Sequence, residues 1–268
     1  MRPARALLSY FALAFAVSWT GVLLAVREPA PYAPFAAMLL GPPLASIALT
    51  VALHGARGLR VLARRLFRWR VPARWYAMVL VAPAVLLLVL GALSRSSPMF
   101  VPTATTNLAV LGAIAGLAAG FFEELGWTGF AAPRLLRGRS WLGAGALLGV
   151  AWALWHVLPD WLLLRGEYGS LWAAHMLEWI AALVAYRVLM TWVHRGTRSL
   201  LLAVLMHATF TGSQTWLWPR AAPPRAELLW YGLFAAGLWM VVAIVATSTH
   251  RFGRFTAGRV QAAHEGRA

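Results

Sequence analysis

The stretch GFFEELGWTGF, residues 120–130, ends a long apolar run with two adjacent acids, Glu123 and Glu124, in a 268-residue chain that holds only 8 acidic residues. The setting makes that pairing unusual. Hydrophobic residues account for 61% of the sequence and charged ones for 12%, with a mean hydropathy of +0.68. Soluble domains have an apolar share of about 45–50%. The composition is that of an integral membrane protein, so the position of each ionisable group carries most of the functional information.

Runs of about 20 apolar residues recur from one end of the chain to the other. They predict spans at Leu7–Val26, Phe35–Leu53, Trp75–Leu93, Leu108–Phe130, Trp141–Leu158, Leu171–Trp192, Leu200–Leu217 and Leu229–Thr247. Between them the arginines alternate. Two precede the first span, seven lie from Arg57 to Arg74, three from Arg134 to Arg139, then Arg195 and Arg198, and four in the tail. The intervening loops hold Arg27, Arg95, Arg165, Arg220 and Arg225. By the positive-inside rule both termini and the arginine-rich loops face the cytoplasm. The expected fold is therefore all-α: a polytopic membrane bundle of about eight transmembrane helices.

Residues 1–268 form one transmembrane domain in this reading, with a motif-bearing core at about 108–217 and a basic cytoplasmic tail at 248–268. The net charge of +16 is accounted for by topology and membrane lipids, not nucleic acid. The absence of cysteine excludes disulfide and thiolate chemistry. The first apolar run, at about 20 residues, exceeds the roughly 7–15 of a signal-peptide core and is expected to stay as a helix. The arginine-rich stretch 57–70 reads as an interfacial amphipathic helix or as a solvated loop on anionic headgroups. The 15 tryptophans read as interface anchors and packing.

A charge at the centre of a spanning helix costs at least about 2.5–3.5 kcal/mol, which leaves few candidates: Glu123, Glu124, His156, His175, Glu178 and His207. Arg187 is close enough to the end of its predicted span to snorkel; whether it instead supplies a charge to the site, or Gln214 an amide, is not fixed by the sequence. Glu124 and Thr128 continue a four-residue stripe of Gly112, Gly116 and Gly120, which lets another helix approach. Gly145, Gly149, Ala153 and His156 repeat the pattern, as do Ser199, Ala203, His207, Thr211 and Gln214. Three helices thus each end a small-residue face in a polar group. His175 and Glu178, three residues apart, read as a local hydrogen-bonded pair.

These residues carry a resemblance. The segments EELGWTGF, WALWHVLP and LLLAVLMHATF resemble the three motifs of the CPBP family, the CAAX prenyl proteases and bacteriocin-processing enzymes, also called Abi-type intramembrane proteases. That family's pattern is a Glu-Glu pair with Arg four residues after the second Glu, an aromatic four residues before a His, and a His followed four residues later by Asn or Asp. The resemblance implies that Glu123 activates a water, assisted by His156 and His207, with Glu124 held beside it and Thr128, Trp152 and Thr211 in supporting positions. It implies a peptide or membrane-associated protein as substrate and a multi-pass protein of a bacterial-type cell membrane.

Chemistry adds that two neighbouring carboxylates at low dielectric cannot both ionise cheaply. It also leaves two mechanisms open: a metal-free glutamate base, or Glu123, His156 and His207 holding a divalent ion such as zinc. Trp152 replaces the family's Phe before His156, a mild change. Thr128 stands where the family has Arg, which leaves Glu124 at most a hydroxyl donor, and Thr211 stands where it has Asn or Asp. Those departures keep a non-catalytic membrane scaffold in play, and buried Glu and His residues keep a proton-coupled transporter. Depth sets a further expectation. Glu123 and His207 lie roughly 10 Å from the cytoplasmic ends of their spans and His156 about 22 Å from its own, so the helices must tilt or the predicted ends must shift.

Overall fold

The computed structural model describes residues 3–27 and 33–265, with side chains from Ala4 to Thr249 within them; most of the basic tail therefore lies outside the described side chains. Among the described residues every regular element is helical. The elements are α1 (Pro3–Ala25), α2 (Ala33–Met38), α3 (Gly41–Leu66), a 3-10 segment (Ala73–Leu80) leading into α4 (Val81–Leu93), α5 (Thr106–Gly126), a π-helical turn (Trp127–Ala131) leading into α6 (Ala132–Leu135), α7 (Trp141–Tyr168), α8 (Trp172–Thr197), α9 (Leu200–Leu217) and α10 (Pro224–Glu265).

Six stretches are long and apolar enough to cross a membrane: 4–25, 33–66, 73–93, 106–135, 141–197 and 224–249. The fifth of these holds both α7 and α8. Helix α9 lies outside all six, because His207, Thr209, Thr211, Ser213, Gln214 and Thr215 dilute its apolar character. It is enclosed instead by protein, with His207 and Gln214 both buried. The chain is a multi-pass helical membrane protein.

Three of the boundaries that differ from the sequence expectation do so for a reason visible in the structure. The predicted second span, Phe35–Leu53, divides: α2 is one short turn, and α3 begins at Gly41-Pro42-Pro43, where prolines fit the first helical turn because its N–H groups have no partners anyway. α3 then runs on into the arginine-rich stretch as far as Leu66. It is interrupted only at Gly55, whose φ of 55° and ψ of −153° suit glycine alone. The stretch therefore starts as a redirected helix and not as a loop, with Leu62 buried.

The fourth span does not stop at Phe130. A π turn inserts one residue's worth of extra backbone directly after the two glutamates, and the helix resumes to Leu135. Ser46 of α3 donates to the Leu125 carbonyl, at 2.8 Å, just ahead of that turn. The fifth span runs ten residues past Leu158 in spite of Pro159 inside it. Proline offers no N–H to the carbonyl four residues back, and here Trp19 of α1 donates its indole N–H to that carbonyl, Trp155, at 3.0 Å.

The small-residue faces are used as packing faces. A Cβ added at Gly116 would stand 2.2 Å from the Ala208 carbonyl oxygen, and one at Gly120 2.5 Å from that of Val204, so α5 and α9 touch backbone to backbone. On α9 the contacting stripe is Val204, Ala208 and Gly212, one residue over from the expected one, and His207 faces the glutamates. A Cβ at Gly149 would stand 2.8 Å from Val184 Cα, which brings α7 equally close to α8. The Gly116→Val variant should be destabilised by about 1–3 kcal/mol through overpacking, read as a lower Tm in detergent; an unchanged Tm would mean that α5 and α9 do not pack this closely.

Candidate active site

Glu123 and Glu124 sit side by side on α5, yet their surroundings differ completely. Glu124 is fully buried. Its Oε2 accepts from the Thr128 hydroxyl at 2.5 Å and from Arg187 Nη1 at 2.7 Å, and its Oε1 meets His207 Nδ1 at 2.7 Å. Those donors come from the π turn, α8 and α9. Glu123 has no ion-pair partner as close. Its Oε2 accepts indole N–H groups from Trp127 at 3.2 Å and Trp152 at 2.7 Å, and its Oε1 faces His207 Nε2 at 3.8 Å.

The histidine between them is oriented by this arrangement. A carboxylate paired with a guanidinium acts as an acceptor only, so the Glu124–His207 contact assigns the proton to Nδ1. His207 Nε2 is then turned toward Glu123. The ring packs edge-on against Trp152, with centroids 5.1 Å apart, and Trp152 also carries the Arg187 guanidinium over its face at 4.1 Å. The tryptophan thus touches both halves of the site: its N–H fixes Glu123 and its π face supports the cation that neutralises Glu124.

Arg187 is the residue that the sequence did not place. Its predicted span ends at Trp192, close enough for snorkelling, but α8 continues to Thr197, which sets Arg187 about 15 Å inside the helix. The guanidinium turns inward and is fully buried, with Glu124 as its acidic partner. The expectation that Glu124 keeps at most a hydroxyl donor is therefore corrected. Thr128 does supply that hydroxyl, and a cation arrives from another helix.

His156 stands one turn beyond Trp152 on α7. Its Nδ1 lies 2.9 Å from the Trp152 carbonyl oxygen, and its ring is partly exposed among Trp152, Trp155 and Trp179. Among the described residues no side chain hydrogen-bonds its Nε2. The depth expectation is resolved in part: extension of the fourth span to Leu135 puts Glu123 roughly 18 Å from that end, close to the depth of Trp152 and about 4 Å short of His156. The Thr211 hydroxyl makes no contact with the glutamates, and Gln214, though buried, has neither amide atom bonded.

Among the described residues no three His, Asp or Glu side chains are arranged to hold an ion. Glu123 Oε2 is already occupied by two positively polarised N–H groups, and His207 Nδ1 is committed to Glu124.

His175 and Glu178 do not pair with each other. His175 Nε2 faces Asp160 Oδ2 of α7 at 3.5 Å, and Asp160 accepts from Trp172 at 2.7 Å. Nearby, Tyr168 and Trp218 both donate to Glu227 of α10. This second cluster ties together the ends of α7 to α10 remote from the arginine-rich loops.

Fold and site together define a class: a multi-pass helical membrane protein with a glutamate–histidine centre buried between its helices. Residues 105–213 match the family model described as type II CAAX prenyl endopeptidase Rce1-like. The matched segment runs from the start of α5 into α9, contains all three motifs, and bears out the resemblance to the CPBP family. Comparison with curated proteins gives no match.

Replacing Trp152 by Phe keeps an aromatic ring, though a smaller one under Arg187, and removes the N–H on Glu123. A hydrogen bond to a charged group is worth about 1.5–3 kcal/mol, so Trp152→Phe should unfold at a measurably lower temperature; equal Tm values would contradict the bond.

Proposed function

We propose that this protein is an intramembrane endopeptidase in which Glu123 activates a water for attack on a peptide bond, without a metal ion. The observation that carries this reading is the gap between Glu123 Oε1 and His207 Nε2. At 3.8 Å it is too long for a direct hydrogen bond and suits one water bonded to both atoms. The other polar atoms of these two groups are already engaged, so the two that remain face the same space.

In the reaction, Glu123 Oε1 takes a proton from that water as the water oxygen attacks the scissile carbonyl carbon. The protonated Glu123 then passes the proton to the amide nitrogen while the C–N bond breaks, which leaves an acid, an amine and the original carboxylate. His207 aligns the water. Glu124 acts through His207 by holding its ring, and belongs with the positioning residues. His156, one turn farther along α7 with Nε2 unengaged, meets the bound peptide and not the water. The match to a CAAX prenyl endopeptidase family supports a substrate held at the membrane by its own anchor, and the apolar composition supports a site within the membrane.

A non-catalytic role is favoured by one observation, the absence of the family's Asn or Asp at Thr211. The two readings separate on one assay, with purified protein in nanodiscs and an internally quenched, farnesylated peptide ending in a CAAX sequence. Wild-type protein should cleave it. Glu123→Gln should reduce the rate by about 10²–10⁴-fold while the Tm stays close to wild type, and His207→Ala should lose more than His156→Ala. A rate unaffected by Glu123→Gln contradicts the assignment, and no cleavage by the wild type favours the scaffold. Treatment with EDTA or phenanthroline should leave the rate unchanged; its loss, restored by zinc, would overturn the metal-free mechanism.

A further inference from the structure

The family pattern places an arginine four residues after the second glutamate, one helical turn away on the same helix. In this chain that position is Thr128. The structure shows what occupies the corresponding electrostatic position: the guanidinium of Arg187, 59 residues later in the chain and on a different helix, at 2.7 Å from Glu124 Oε2, the same oxygen that Thr128 contacts. We propose that the arginine partner of the second glutamate has been relocated from the π turn that follows α5 to α8, and that Arg187 is the positioning residue that keeps Glu124 and, through it, His207 in working geometry. The proposal rests on the reading of this cluster as a hydrolytic site.

Four features support a dedicated partner over a chance contact. Arg187 is fully buried, and a buried cation is retained only where an anion offsets its desolvation. Its Nε and Nη2 find no bonding partner, so the pairing rests on the single contact from Nη1. The close approach of α7 and α8 at Gly149, where an added Cβ would lie 3.3 Å from Arg187 Cβ, seats this side chain against α7. Finally, the tryptophan at 152, where the family has phenylalanine, extends its larger ring under the guanidinium and adds the N–H that fixes Glu123. Thr128, Trp152 and Arg187 are then one coupled rearrangement in place of three separate departures.

Relocation makes a prediction that a merely structural salt bridge does not: moving the arginine back should work. In thermal unfolding of the purified full chain, Arg187→Leu strands the buried Glu124 carboxylate and should lower Tm by about 10 °C. Thr128→Arg alone adds a second cation to a carboxylate that is already neutralised and should also lower Tm. In the Arg187→Leu background the same Thr128→Arg change should raise Tm, a reversal of sign. Equal losses from Thr128→Arg in both backgrounds would overturn the proposal.

Should the double variant fail to fold, a second pair decides. Glu124→Leu combined with Arg187→Leu removes both charges and should be more stable than Arg187→Leu alone, whereas additive losses would show that the two do not depend on each other. With the farnesylated CAAX peptide, Arg187→Leu should lower kcat by about 100-fold with KM changed less than about threefold, and Thr128→Arg should restore at least about tenfold of that loss. A loss confined to KM would contradict a positioning role. Absence of cleavage by wild-type protein would count against the endopeptidase reading alone, because the Tm comparisons still test the pairing.

Discussion

A carboxylate sealed inside an apolar helix bundle has to be given its counter-charge by the protein, because no solvent is available to supply it. Glu124 meets this constraint with donors from three directions: Thr128 in the π turn, Arg187 from α8 and His207 from α9. Those contacts fix the relative positions of α5, α8 and α9. They also create the asymmetry on which the chemistry depends. Glu124 is neutralised and surrounded, whereas Glu123, its sequence neighbour, is held through one oxygen by two indoles and keeps the other facing His207.

The backbone is built around that asymmetry. Direct backbone packing at Gly116 and Gly120 brings His207 within reach of the glutamates, and Gly149 brings α8 close enough to α7 for Arg187 to lie on Trp152. Two irregularities flank the site: the π turn after Glu124 and Pro159 after His156. The backbone beside each is tied to helices outside the family-matched segment, Leu125 to Ser46 of α3 and Trp155 to Trp19 of α1. The N-terminal helices therefore brace the site without supplying a group that touches its reacting atoms.

Much of this was legible in the sequence. Apolar run length and arginine alternation gave an all-helical membrane bundle, and four-residue glycine spacing marked the faces that do pack. The glutamate pair and His207 were marked by the rarity of ionisable groups in such runs, and Trp152 by the resemblance to the family's motif. What stayed hidden depended on long-range placement. The inward turn of Arg187 could not be read while its span seemed to end at Trp192, since an arginine near a helix end normally reaches for the interface. The continuation of α7 through Pro159 was hidden because the compensating donor, Trp19, lies 136 residues away. Likewise, His175 turned out to face Asp160 on α7 and not Glu178 on its own helix, a choice that local spacing cannot reveal.

The central claim is that peptide hydrolysis takes place in the space between Glu123 and His207, with Glu124 and Arg187 behind it. The most direct measurement is an experimental structure of the protein in nanodiscs with a non-cleavable peptide isostere bound. The account predicts that the atom standing for the scissile carbonyl carbon lies within about 4 Å of the midpoint between Glu123 Oε1 and His207 Nε2, with the Arg187–Glu124 pair intact. A peptide seated elsewhere, with that space filled by side chains, would contradict it.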